Sequence, residues 1–378
     1  MNFDLELFAK KLKEEMELLE YSAEELQSKC RIPVTRINAF LRAESIPVGD
    51  EILIISDVFR VDYIYFISND VKSQFEKTYK FYRATEGIIT RVDKRIIADT
   101  LYLAEFINDI IEHMGYRCRE FIPKYTSQNH VEQGKQVAEQ LRELFNLKFN
   151  QTEINPFSIA REMGIQVFRR HLSKSIISGI HMDNENTGKI ILINYDDDIY
   201  RQNFSLLHEL AHCIFDSNKD YSISMMDDKS DENKKRSEWR ANSFASQFLI
   251  PEKLAKYING SWNNDSEFVD LANKFNVNPA TLSYSLNKNK LITESESKLL
   301  SELKIRLIDK SEPELSGLSY NGIERVKQLQ EKGFSFSFIK MSYEAYHNEI
   351  ISFSKLCEML FMSSAEVYEL MKVIGWVI

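Results

Sequence analysis

Residues 204–215 read FSLLHELAHCIF and contain two histidines four positions apart. Positions four apart lie one turn apart on the same face of an α-helix, so His208 and His212 can reach one metal ion. Glu209 is rotated by about 100° from His208, which removes it from a direct ligand position but leaves it within reach of a water molecule. The stretch therefore predicts a helix with two nitrogen ligands and a neighbouring base, as a zinc hydrolase requires.

The residues around the histidines have the spacing of a buried helix face. Four apolar side chains recur every three or four positions: Phe204, Leu207, Ala211 and Phe215. The two histidines share this stripe, and the alternative interpretation is that they are core histidines with ordinary hydrogen-bond partners. An apolar stripe offers few such partners for two imidazoles and a carboxylate, whereas a metal ion satisfies them together.

A second helix is predicted in EWRANSFASQFLIP, residues 238–251. Its buried stripe consists of small and aromatic residues: Ala241, Phe244, Ala245 and Phe248. Glu238 lies on the same stripe one turn earlier, where a carboxylate caps the helix, points to solvent or faces a cation. Next to a histidine pair, the cation is the interpretation that we adopt.

Asp216 is a competing third ligand because it lies four residues beyond His212 on the same helix face. Three ligands along one straight helix would span about 12 Å of rise, too far to converge on one ion. Asp216 could instead support His212 from outside the ligand set. Cys213 points away from His212 and is predicted to be a core residue.

The two predicted helices together resemble the ImmA/IrrE family of metallopeptidases. The resemblance covers about residues 150–290 and rests on RQNFSLLHELAH (201–212), EWRANSFA (238–245) and LIP (249–251).

This resemblance implies that His208, His212 and Glu238 bind one zinc ion and that Glu209 is the general base. It also implies a regulatory endopeptidase whose substrate is a repressor-like or antitoxin-type transcription factor, cleaved to derepress genes. The implied setting is a prophage, a stress response or a toxin–antitoxin system. The alternative function is a non-catalytic transcriptional regulator that senses a metal or another ligand.

Residues 1–70 predict five short helices. The first has an apolar stripe at helical spacing, made of Leu5, Phe8, Leu12, Met16 and Leu19. Ser22 and Glu25 form a capping box that begins the second helix, and Pro33 follows that helix.

The segments SAEEL (22–26) and IPVTRI (32–37) resemble the Cro/repressor-type (XRE) helix-turn-helix family. In that family the third helix enters the major groove, which would place Thr35, Arg36 and Asn38 near DNA bases.

The charge of this N-terminal segment leaves two interpretations open. It contains eight Lys and Arg against fourteen Asp and Glu, which disfavours binding to phosphates. Residues 31–42, however, contain three arginines and no acid, so the face that would read DNA is locally basic. Binding to DNA and binding to a protein partner are both compatible with this pattern.

The remaining chain is assigned from its periodicity. Residues 71–150 predict a helical spacer, residues 151–290 a zincin-like domain with a small sheet, and residues 291–378 a helical C-terminal region. The predicted strands are Ile165–Arg169, Ser178–Met182 and Lys189–Asn194, the last two forming a hairpin.

Two further expectations concern the surroundings of the predicted site. An extended substrate could pair with the edge of Lys189–Asn194. The segment Ser217–Ser237 shows no apolar periodicity and is predicted to be a lid or an unstructured connector. Two-helix turns at 268–286 and 351–371 have no basic face, so packing, sensing or formation of a homodimer is expected there.

Composition sets the class of protein. With 378 residues, 43% hydrophobic and 28% charged, the chain is typical of a soluble multidomain protein, and the pattern predicts an α+β, predominantly helical fold. The four cysteines form no CxxC pair, which is typical of reduced thiols in the cytoplasm. The sequence shows no signal peptide and no membrane-spanning segment, so no membrane partner is expected.

Overall fold

The computed structural model describes residues 3–69, 89–152, 154–173, 177–184, 187–216, 221–225, 232–307, 310, 312–315, 318–331 and 334–377. The chain divides into two units, Met1–Phe106 and Ile107–Ile378. Most of the described residues are helical and one small sheet is present, which confirms the predicted fold class.

The N-terminal unit contains the five predicted helices. They are α1 (Leu5–Leu18), α2 (Ala23–Cys30), α3 (Val34–Leu41), α4 (Gly49–Phe59) and α5 (Tyr63–Ile67). The capping box at α2 is confirmed, because the Ser22 hydroxyl accepts from the backbone N–H of Glu25 and the Glu25 carboxylate accepts from that of Ser22. Phe8, Phe40 and Phe66 meet edge-on or tilted in the core of this unit.

Helix α6 (Arg91–Met114) begins in the first unit and ends in the second. The first part of the predicted spacer, residues 71–88, lies outside the described residues. In the described ranges, no helix combines the length and the apolar character needed to cross a bilayer.

The second unit holds the sheet and the helices around it. Its elements up to the central helices are α7 (His130–Leu144), α8 (Pro156–Glu162), β1 (Gln166–Arg170), β2 (Ile177–Asn184), β3 (Gly188–Asn194), α9 (Ile199–Phe215), β4 (Tyr221–Met225) and α10 (Glu232–Leu249). The helices that follow are α11 (Glu252–Ile258), α12 (Asp265–Lys274), α13 (Pro279–Lys288), α14 (Glu294–Ser301), α15 (Tyr320–Glu331), α16 (Phe336–His347), α17 (Phe353–Met359) and α18 (Ser364–Ile374).

The sheet has the order β1-β3-β2-β4. Strands β2 and β3 form the predicted antiparallel hairpin, and β1 pairs with β3 in parallel. The expectation that a substrate pairs with the edge of Lys189–Asn194 was wrong, because β3 lies between β1 and β2 and both of its edges carry backbone hydrogen bonds.

Strand β4 corrects a second expectation. It lies inside the segment 217–237, which was predicted to be a lid or an unstructured connector, and it pairs antiparallel with β2, so the second alternative is wrong for residues 221–225. Its sequence YSISM alternates serine with larger apolar residues, a strand period that a search for helical periodicity misses. Residues 217–220 and 226–231 of the same segment lie outside the described residues.

Helix α9 is central to the second unit. One side packs against β2 and β3, another packs against α10, and α7 runs along α10 in turn. Helices α7 and α10 approach closely at Gly134, where an added Cβ would lie 2.4 Å from the backbone oxygen of Arg240. The position therefore requires glycine although it lies inside a helix.

Gly134→Ala should lower the free energy of unfolding of the second unit by about 1–3 kcal/mol, because the methyl group forces α7 away from α10. Alanine is ordinarily the better helix former, so the sign of the change reports the close approach. Urea unfolding followed by circular dichroism measures it. Gly49→Ala is the control, since nothing lies within 4 Å of that Cβ position. Equal stability of the two variants would contradict the packing described.

Candidate metal centre

The N-terminus of α9 fixes the helix on which the histidines lie. Asp198 caps it by accepting from the backbone N–H groups of Tyr200 and Arg201, each at 3.1 Å. The apolar stripe predicted from the sequence faces inward, with Leu207 and Ala211 buried. His208 and His212 are buried with it, 7% and 3% exposed.

The three predicted ligands lie together. Nε2 of His208 is 3.1 Å from Glu238 Oε2, and Nε2 of His212 is 3.4 Å from Glu238 Oε1. The two Nε2 atoms are 3.2 Å apart. Among the described residues, these form a group whose candidate ligand atoms all lie within 4.8 Å of one another. Binding of zinc by this group stays a prediction.

The outer nitrogens of both imidazoles face oxygen atoms. Nδ1 of His208 is 3.0 Å from Asn242 Oδ1, and Nδ1 of His212 is 3.0 Å from Asp216 Oδ2. An oxygen acceptor at this position keeps the imidazole proton on Nδ1 and leaves a lone pair on Nε2. The Nε2 atoms of both rings face the Glu238 carboxylate.

This donor set fits a zinc ion. Two imidazole Nε2 atoms and a carboxylate at hydrogen-bonding distances need a proton or a cation among them, because their lone pairs otherwise repel one another. Two nitrogen donors with one carboxylate are a common zinc set that leaves one coordination position open.

Asp216 is held in place by two further contacts. Its Oδ2 accepts from the Ser237 hydroxyl at 2.7 Å, and its Oδ1 accepts from Arg240 at 2.8 Å. The carboxylate of Asp216 faces the outer nitrogen of His212 and not Glu238. Asp216 is therefore placed to support His212 by a hydrogen bond and not to act as a third ligand. Cys213 is buried as predicted, and burial raises the pKa of its thiol.

The buried acids and imidazoles shift one another's pKa values. Burial alone would lower the pKa of His212, but its hydrogen bonds with Asp216 and Glu238 outweigh burial and raise that pKa to about 9. Burial alone would raise the pKa of Glu238, and the hydrogen bonds from His208 and His212 instead hold it well below the usual range.

Glu209 is fully buried and separate from this group. Its Oε2 lies 3.1 Å from Nδ1 of His181 on β2, and its Oε1 has no hydrogen-bond partner among the described residues. Burial opposes ionisation of Glu209, but the hydrogen bond with His181 and the nearby histidines lower its pKa, so the group is a carboxylate. Nearby Gly179 leaves the room that the carboxylate occupies.

A cleft of about 340 Å³ is bordered by His208, Glu238 and Glu209. The lining comes from β2, α9, α10 and the start of α13: Ser178, Asp198, Arg201, Phe204, Ser205, His208, Glu209, Glu238, Asn242, Asn278, Ala280 and Thr281. One wall thus belongs to the two-helix turn at 268–286, to which the sequence assigned packing, sensing or dimer formation.

Residues 160–287 match the Peptidase_M78 family model, described as the IrrE N-terminal-like domain. The match supports the ImmA/IrrE family for this domain, and it supports a peptidase activity. The matched segment contains the three candidate ligands, Glu209 and every residue that lines the cleft. No curated protein matches the chain.

The candidate DNA-binding residues lie on α3 of the N-terminal unit. Thr35 is exposed and Asn38 is half-buried. Arg36, however, is engaged within its own unit, where its guanidinium binds the Glu51 carboxylate and donates to the Ser45 hydroxyl at 2.9 Å. Contact of these residues with DNA stays a prediction, and the structure gives Arg36 a role in joining α3 to α4.

Several residues that contact the candidate ligands or Glu209 were not predicted from the sequence. Asn242, Ser237 and Arg240 lie within one or two turns of Glu238, so their helical spacing contained a signal. His181 had no local signal, since its partner lies on a different element and the strand reads as an ordinary apolar run.

Zinc binding should release about one proton per ion at pH 7, because an imidazole must lose its proton to become a ligand. Without metal, His212 with its pKa of about 9 carries that proton at pH 7. Zinc affinity should therefore rise with pH up to about 9 and then level off. Titration calorimetry in buffers of different ionisation enthalpy measures the release. Heats that do not depend on the buffer would rule out a protonated His212.

Asp216→Asn should weaken zinc binding about 10–100-fold while all three ligands remain, because the amide no longer provides a charged acceptor for the outer nitrogen of His212. Competition with a chromogenic chelator measures the affinity. Asp99→Asn is the matched control, since Asp99 pairs with Arg95 at 3.2 Å on α6. An unchanged zinc affinity in Asp216→Asn would contradict the proposal that Asp216 supports His212.

Proposed function

We propose that this chain is a cytoplasmic, zinc-dependent regulatory endopeptidase that cleaves a repressor-like or antitoxin-type transcription factor and so derepresses genes. The observation that supports it best is the convergence of two imidazoles and one carboxylate beside a separate buried carboxylate, with His208, Glu238 and Glu209 bordering one cleft. The Peptidase_M78 match over residues 160–287 supports the same chemistry.

The side chains divide the reaction between them. His208, His212 and Glu238 would hold the ion, which when bound supplies Lewis-acid polarisation of the scissile carbonyl and makes water more acidic. Glu209 accepts a proton from the attacking water and passes it to the leaving amine. As an ionised carboxylate with one oxygen that has no hydrogen-bond partner in the described part of the chain, Glu209 suits the first of these transfers.

The N-terminal unit would bring the peptidase to its target by binding DNA or a protein partner. Support comes from the five short helices and from the surface of α3, where Thr35 is exposed. Because Arg36 is paired with Glu51, base contacts on this surface would rest on Thr35 and Asn38. The cytoplasmic setting is supported by the four cysteines, all of which are free thiols.

Glu209→Gln should abolish cleavage and keep bound zinc, since it removes the base and leaves all three ligands in place. The full chain is co-expressed with the repressor-like proteins encoded beside its gene, and cleavage is followed by immunoblot with zinc content by mass spectrometry. Glu232→Gln, an exposed position on the same helix as Glu238, is the control. Equal regulation by wild type and Glu209→Gln would favour the non-catalytic sensor, and absence of zinc from both would refute the metal site.

A further inference from the structure

Strand β2 presents two residues to Glu209. Gly179 and His181 are two positions apart, so both lie on the same face of the strand. At Gly179 an added Cβ would lie 2.8 Å from Cγ and 3.0 Å from Oε1 of Glu209. The strand thus leaves space for the carboxylate at one position and places an imidazole against it at the next on that face.

The two oxygens of Glu209 have different surroundings. Oε2 lies 3.1 Å from Nδ1 of His181, and His181 is itself only 2% exposed. Oε1 has no hydrogen-bond partner among the described residues, and Glu209 borders the cleft. A buried carboxylate with one oxygen hydrogen-bonded, and the other without a partner among the described residues, is held in one orientation beside the cleft that Glu209 borders.

His181 is not placed as a further metal ligand. Its ring stacks on that of His212, with centroids 5.5 Å apart and an angle of 14° between the planes. An imidazole binds a metal through a lone pair in the plane of its ring, and the Nδ1 edge of His181 faces Glu209. The group of converging ligand atoms is formed by His208, His212 and Glu238.

We propose that His181 is a positioning residue for the general base. It donates its Nδ1 proton to Oε2 of Glu209 and thereby keeps Oε1 directed at the reacting water. During turnover Oε1 takes the proton from water and gives it to the leaving amine, while His181 keeps its own proton. This inference rests on the proposed peptidase function.

The first experiment compares His181→Leu, which removes the donor, with His181→Asn, whose amide nitrogen can replace Nδ1. Each variant is purified and assayed with the co-expressed repressor-like protein as substrate. In His181→Leu, kcat should fall about 10–100-fold while KM and the bound zinc stay unchanged. His181→Asn should recover most of that loss. His171→Leu is the control, since it removes an imidazole–carboxylate contact with Asp196 away from the cleft.

The outcomes separate positioning from packing. Recovery by asparagine but not by leucine supports a hydrogen-bond donor at this position. Equal loss in both variants, or full activity in His181→Leu, overturns the proposal.

A second experiment needs no substrate. In the full chain labelled with 15N-histidine, the His181 signal is identified by its absence from His181→Asn. The proposal expects a proton on Nδ1 with a downfield shift that decreases in Glu209→Gln, because a neutral amide is the weaker acceptor. A proton on Nε2 alone would overturn the proposal even in a chain that cleaves its substrate. A chain that shows the Nδ1 proton but cleaves nothing would instead refute the peptidase function.

Discussion

The burial of His208, His212 and Glu209 on one helix is the constraint on which the second unit depends. An imidazole or carboxylate removed from water without partners costs several kcal/mol, so each of these side chains must be compensated by another element. The compensation comes from α10 through Glu238 and Asn242, and from β2 through His181. The hydrogen bonds of these buried groups therefore depend on the packing of the elements, since moving α10 or β2 away from α9 would leave buried charge unpaired.

This arrangement gives two carboxylates in one small volume different surroundings. Glu238, on α10, faces the Nε2 atoms of the two imidazoles. Glu209 follows His208 by one residue on α9, so its side chain points in a different direction, towards the sheet, where it meets Gly179 and His181. Both acids are ionised in spite of burial, so they differ in their neighbours and not in their charge. The residue proposed as a ligand and the residue proposed as the base thus have different partners although they are close together.

The sequence predicted what depends on local spacing. The repeat of four in His208–His212, the apolar stripe of α9 and the position of Glu238 follow from helix geometry, and the hairpin β2–β3 from its polar turn. Arg36 shows the limit, because its pairing with Glu51 is a contact between two helices. The same holds for His181, whose hydrogen-bond partner lies 28 positions away, and for β4, whose alternating strand pattern lies within a polar segment.

The start of α13 forms one wall of the cleft, although Ala280 lies about forty residues beyond the last candidate ligand. A chain shortened after α10 would keep every candidate ligand and lose that wall. In the proposed peptidase, the wall that a substrate would meet and the candidate ligands are thus encoded in separate stretches, and sequence change near residues 278–281 would alter the first while leaving the second intact.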